Sequence, residues 1–153
     1  MSAPKASGRR NLTIIVQSRE RKKRIKIKDV RSWAKKVLEQ LGIRRGELSV
    51  LLVDDDEIRQ LNLKYLGRDR PTNVMAFPMD GPDPKILGDV VISTETAQRE
   101  SQELGIGTEE YIALLLIHGI LHLLGYDHER DEEEALRMQQ KEGELLGLLF
   151  SGP

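Results

Sequence analysis

The sequence contains no cysteine. Disulfides, thiolate nucleophiles and every cysteine-ligated zinc or iron–sulfur centre are thereby excluded, so any metal must be held by nitrogen and oxygen. The absence fits a reducing compartment, and a cytoplasmic location is expected. Aromatic residues are scarce, at 4% of the chain. Platforms for base stacking are correspondingly few, and readout of a base sequence by this chain alone is not expected. Long apolar runs are missing too: the longest, residues 111–117, falls far short of the ~20 residues a membrane-spanning helix needs. Residues 1–11 are basic but carry no apolar stretch of the kind a secretory signal uses, and are expected to form a loose tail.

What is present suits one soluble globular domain spanning residues 1–153, with 39% hydrophobic and 32% charged residues. The net charge of −1 conceals a polarity. Residues 1–70 hold 19 Lys/Arg against 9 Asp/Glu, and residues 71–153 hold 5 against 16. Such a division suits a basic face that meets a polyanion, or two halves that fold together and neutralise each other. The basic residues concentrate in RERKKRIKIK (residues 19–28), seven of ten, where Arg21, Lys22, Lys23 and Arg24 are candidate phosphate contacts. Without a polyanion this run is a solvated loop. For Arg44 and Arg45 the solvated reading is preferred.

Hydrophobic periodicity predicts the order βαβαββααα. Strands are expected at residues 12–17, 48–53, 73–79 and 88–93, and Pro78 suggests that the third lies near a sheet edge or ends there. Helices are expected over 29–41, 54–66, 94–104, 108–124 and 131–149. Asp54 with Glu57, and Asp131 with Glu134, have capping-box spacing; Thr108 is expected to cap its helix, and Gly42, Gly105 and Gly125 to end theirs. Trp33 falls at helical core spacing and reads as packing. The fold class is therefore α+β: a four-stranded mixed sheet packed by about five helices, with helix 108–124, which bears two of the three histidines, at its centre. Apolar residues surround the axis of helix 108–124, so it should be buried nearly all round, and a polar side chain on it needs a reason.

All three histidines lie in HGILHLLGYDH (residues 118–128). His118 and His122, i and i+4, leave one face of the helix a turn apart. Gly125 permits a sharp reversal that brings His128 to a third corner. Three neutral imidazoles suit one Zn²⁺ per chain and leave a coordination position open, the mark of a catalytic site. A single histidine on an apolar face is ordinarily a core residue bonded to a carbonyl. Two buried imidazoles at this spacing, with a third beyond a glycine turn, are satisfied more cheaply by a shared cation. The spacing matches that of the metzincin metalloproteases, which carry Glu directly after the first histidine as general base. Here Gly119 stands in that place, although glycine costs a helix about 1 kcal/mol relative to alanine. Close packing or substrate approach are the candidate reasons, and proteolysis becomes a secondary reading.

The same window strongly resembles the signature of the YbeY family, the zinc-dependent endoribonucleases also called rRNA maturation factors. Leu61-Asn62, Tyr65, Asp69, Pro71-Thr72-Asn73-Val74 and Phe77-Pro78 resemble that family's middle segment. The stretch LGDVVIS (residues 87–93) resembles its next strand, so the likeness covers roughly residues 48–130. It implies His118, His122 and His128 as zinc ligands. It also implies a single-strand endoribonuclease acting on ribosomal RNA, notably at the 3′ end of the small-subunit 16S rRNA, and in ribosome quality control. Its partners would be ribosomal RNA and, beyond it, ribosomal proteins or the small subunit. Two positions depart from the pattern: Leu66 stands where the family usually has an arginine serving the substrate backbone, and Met75-Ala76 replaces the commoner Leu-Ser. Arg68 and Arg70, in the same loop, are the candidates for the missing guanidinium. Asp127 is a candidate to orient an imidazole or accept a proton, against a plain role as a turn residue. A ribosome-assembly factor with a structural zinc, and a zinc metalloprotease, are the alternative readings.

Overall fold

The computed structural model describes residues 11–79, 86–126 and 131–150. Its elements follow the order expected from the sequence: β1 (Leu12–Ser18), α1 (Ile27–Gln40), β2 (Gly46–Val53), α2 (Asp55–Leu66), β3 (Val74–Pro78), β4 (Ile86–Ser93), α3 (Thr94–Leu104), α4 (Thr108–Leu123) and α5 (Glu132–Phe150). The four strands form one sheet in the order β1-β2-β4-β3. β1 pairs parallel with β2 and β2 with β4, whereas β3 runs antiparallel to β4, so the sheet is mixed. Pro78 ends β3 on an edge, where its missing N–H costs no ladder bond.

Alternation along β4 separates the two faces of the sheet. Val90 and Ile92 enter the main core with α1, α4 and α5, while Val91 joins a smaller cluster with Val53, Ile58 and Met75 under α2. α4 is the central helix, in contact with β3, β4, α1, α3 and α5. Nine of its residues are buried, and the two histidines are among the few that are not. Trp33 is a packing residue: it is 8% exposed, and its ring centroid lies 5.5 Å from that of Phe150.

The helix ends depart in part from expectation. Asp54 takes the N-cap position of α2, yet its side chain makes no capping bond. It accepts instead from the Arg21 N–H at 3.1 Å and approaches the Arg24 guanidinium, while Glu57 pairs with Arg19. Tertiary partners from the basic segment have outcompeted the local capping box. Gly107 rather than Thr108 is the N-cap of α4, and the Thr108 hydroxyl is shared with Ser101 at 3.0 Å. α1 starts at Ile27, two residues early, which leaves Asp29 in its first turn. The Asp131 cap forms, with Glu134 N–H donating to its carboxylate at 2.7 Å.

Candidate active site

His118 and His122 project from α4 at one end of the sheet. Their rings meet edge to face, centroids 4.7 Å apart, and their Nε2 atoms stand 3.2 Å from each other. On its far side the His118 Nδ1 meets a carboxylate oxygen of Glu142, from α5, at 2.5 Å. The Glu142 side chain is only 17% exposed. A carboxylate there fixes the proton on Nδ1 and turns the Nε2 lone pair toward His122. At this distance the two ring nitrogens can share a proton in a hydrogen bond or face a common cation. Two ligands of a tetrahedral zinc with bonds of about 2.0–2.1 Å stand about 3.3 Å apart, so the spacing of this pair is compatible with such an ion. Among the described residues no set of three His, Asp or Glu side chains is arranged around a common point. His128 and Asp127, the other residues singled out here from the sequence, lie outside the described residues.

α4 owes its close approach to the sheet to Gly119. A Cβ at that position would lie 2.7 Å from Val90 Cγ1, 3.1 Å from Val90 Cγ2 and 3.5 Å from Val74 Cγ2. Packing explains the glycine: a side chain at this position would run into Val90. Gly88, on the same strand as Val90, is required for a different reason: its φ is +135°, and a Cβ there would strike the Phe77 carbonyl of β3.

The histidines open onto a groove of about 1000 Å³ bounded by β3, the C-terminal part of α2, the loop 67–73 and α3. Arg68 and Arg70 line it, as does the exposed Leu66, which adds no charge. The loop bearing both arginines is pinned by Asn62, a buried residue of α2. Its Nδ2 donates to the Arg70 carbonyl at 2.9 Å, and its own carbonyl accepts the Arg68 N–H at 3.3 Å. Across the groove, Glu100 accepts from Tyr111 Oη at 2.6 Å and from Asn73 Nδ2 at 3.0 Å. Burial, and then the bond to Glu100, push the Tyr111 phenol up to about 12, the contact with Asn73 opposing slightly.

None of the four basic residues singled out in the 19–28 segment lines this groove. Arg24 turns inward, its side chain 13% exposed, to Gln98, Glu20, Asp54 and Glu95. Arg21 stays 81% exposed beside Asp54 and Asp56, Lys23 reaches Ser18, and Lys22 is exposed. Glu142, Asn62 and Arg99 are site residues that sequence reasoning did not find. Periodicity places Glu142 on an exposed-looking helix, and only the docking of α5 on α4 brings it to the imidazole.

A helix carrying a histidine pair, packed on a mixed sheet beside a groove lined by three arginines, defines an α+β domain with a zincin-like central helix and a candidate active site. The family model described as Endoribonuclease YbeY matches residues 15–149. Relatives bearing that name include proteins of Aquifex aeolicus, 45% identical over 84% of this chain and 87% of theirs, and of Geobacter sulfurreducens, 44% identical over 92% and 98%. A solution structure from Thermotoga maritima superposes with a TM-score of 0.67 at 28% identity, covering 91% of this chain and 90% of that one. This chain belongs to the YbeY endoribonuclease family.

Proposed function

We propose that this protein is a zinc-dependent endoribonuclease that cuts single-stranded RNA during ribosomal RNA maturation, at the 3′ end of the small-subunit 16S rRNA, and in ribosome quality control. In this reading it works in the cytoplasm as a single domain, alongside ribosomal proteins or the small subunit. The observation that carries the metal-dependent reading is the pair of Nε2 atoms 3.2 Å apart at the end of the groove, one of them backed by Glu142. His118 and His122, with His128 as the third ligand, would hold the ion. The chemistry such an ion supplies when bound is Lewis-acid charge beside the scissile phosphodiester.

The chain's own residues supply the rest. Glu142 keeps the His118 ring in one tautomer and one orientation. Arg68 and Arg70, on the loop that Asn62 pins, offer positive charge to the phosphate as negative charge grows on its oxygens. Asp127 is assigned to orient an imidazole or to accept a proton. Arg21, Lys22 and Lys23, exposed outside the groove, would add sequence-independent contacts to more distant phosphates.

The test compares untreated protein, metal-stripped protein and His122→Ala on structured RNA and on casein. RNA cleavage present only in the untreated protein supports the proposal. RNA binding without cleavage in any sample favours the assembly-factor reading, and cleavage of casein alone the protease. Elemental analysis of the purified protein identifies the metal. Products ending in 2′,3′-cyclic phosphate would eliminate water as the nucleophile.

A further inference from the structure

Three arginines, Arg68, Arg70 and Arg99, line the groove against one carboxylate among the described lining residues, Glu100, which is engaged by Tyr111 and Asn73. The three are not equivalent. Arg68 and Arg70 stand exposed on a loop. Arg99 rises from α3, and its guanidinium is held along one side: one terminal nitrogen donates to Asp55 Oδ2 at 2.9 Å and the other to Thr96 Oγ1 at 3.1 Å. The other Asp55 oxygen receives the Ser93 and Thr96 hydroxyls, each at 2.6 Å. Asp55 is also the first residue of α2, where the positive end of the helix dipole balances part of its charge. The carboxylate therefore orients the guanidinium, and Glu95 and Glu100 add negative charge nearby. The Arg99 side chain nonetheless remains 56% exposed and lines the groove, so it is accessible to an incoming phosphate.

We infer that Arg99 is the fixed phosphate anchor of this groove, gripping a backbone phosphate of a single-stranded RNA laid in the groove that the histidine pair also lines. The inference rests on the reading of the groove as an RNA site. A planar fork that is already oriented loses little freedom when it binds, so it contributes more per contact than a mobile loop arginine. It contacts the backbone only, and so adds affinity without sequence preference.

The experiment uses the full chain and a short 5′-labelled single-stranded RNA, with anisotropy read in EDTA from 50 to 200 mM salt so that cleavage does not intrude. Arg99→Gln should weaken binding about tenfold at low salt and lower the slope of log affinity against log salt by about 0.7, the share of one phosphate contact on a single strand. Arg137→Gln, an exposed α5 arginine paired with Glu133 and Glu134, should leave both unchanged. If circular dichroism shows the Gln variant unfolded, Arg99→Lys replaces it, with weaker binding expected because a point charge cannot span Asp55 and phosphate together. A folded Arg99 variant with wild-type affinity and slope overturns the inference and leaves the proposed endoribonuclease standing. Absence of salt-sensitive RNA binding in the unmutated chain overturns both.

Discussion

Replacing Gly119 by alanine adds one methyl group where the structure has no room for it. The new Cβ would sit 2.7 Å from Val90 Cγ1, on a β-branched side chain that is fully buried and stiff at χ1, so relief requires α4 to lift from β4. Overpacking of this kind costs about 1–3 kcal/mol. Against it stands the helical advantage of alanine over glycine, about 1 kcal/mol. The expected net effect is a loss of about 1 kcal/mol, or roughly 2–4 °C in Tm for a domain of this size. Val90→Ala alone should cost about 2 kcal/mol through two lost methyls and the cavity they leave. In the Val90→Ala background the same Gly119→Ala change should become stabilising, because the clash has gone and the propensity gain remains. Urea unfolding of the four proteins gives the coupling energy, expected at about 1–3 kcal/mol. Lifting α4 also displaces His118 and His122, so Gly119→Ala should bind zinc more weakly and the double variant should recover. Gly119→Ala more stable than the parent, or a cycle that closes within about 0.5 kcal/mol, would refute the packing account.

Glu142→Gln keeps the shape of the contact but not the carboxylate, and should weaken zinc affinity by about 10–100-fold in a chelator competition with little change in Tm; unaltered affinity would remove Glu142 from the site. Burial raises the Asp55 carboxyl, but hydrogen bonds from Ser93, Thr96 and Arg99 outweigh it and hold the group below its ordinary 3.8. Its stabilising contribution is therefore present above 3.8 and lost as pH falls through the lower folded value. The stability gap between the parent and Asp55→Asn should narrow on acidification below 3.8, and a constant gap in acid denaturation curves would contradict this. Tyr111 behaves in the opposite sense: with its phenol raised to about 12, its contribution holds below the ordinary 10 and fades as pH rises toward 12. Ultraviolet titration should show a phenolate appearing near 12 that is absent from Tyr111→Phe.

Much of this protein is written in local patterns. Alternation and helical periodicity marked four strands and five helices in the right order, because each element buries one face and its residues must repeat with the period of that element. The histidine pair was legible for the same reason, since i and i+4 on a helix are neighbours whatever surrounds them. Pro78 pointed to a strand that lies near an edge or ends there, and β3 does both. What escaped were interactions whose partners lie far apart in sequence. Asp54 looked like a cap and became a partner of Arg21 and Arg24, 33 and 30 residues upstream. Arg24 looked like a contact for polyanions and is sunk among the carboxylates of Glu20, Asp54 and Glu95 and the amide of Gln98.

The amino-acid sequence by itself determined the secondary elements, the central apolar helix and the two imidazoles on one of its faces, since these depend on residues within a few positions of each other. Tertiary structure alone decided which carboxylate holds His118, why residue 119 must lack a side chain, and which guanidinium stands fixed in the groove. Each of those depends on how α5, β4 and α2 dock around α4 and α3. Docking is set by the sum of many weak apolar contacts, and no short stretch of sequence records that sum.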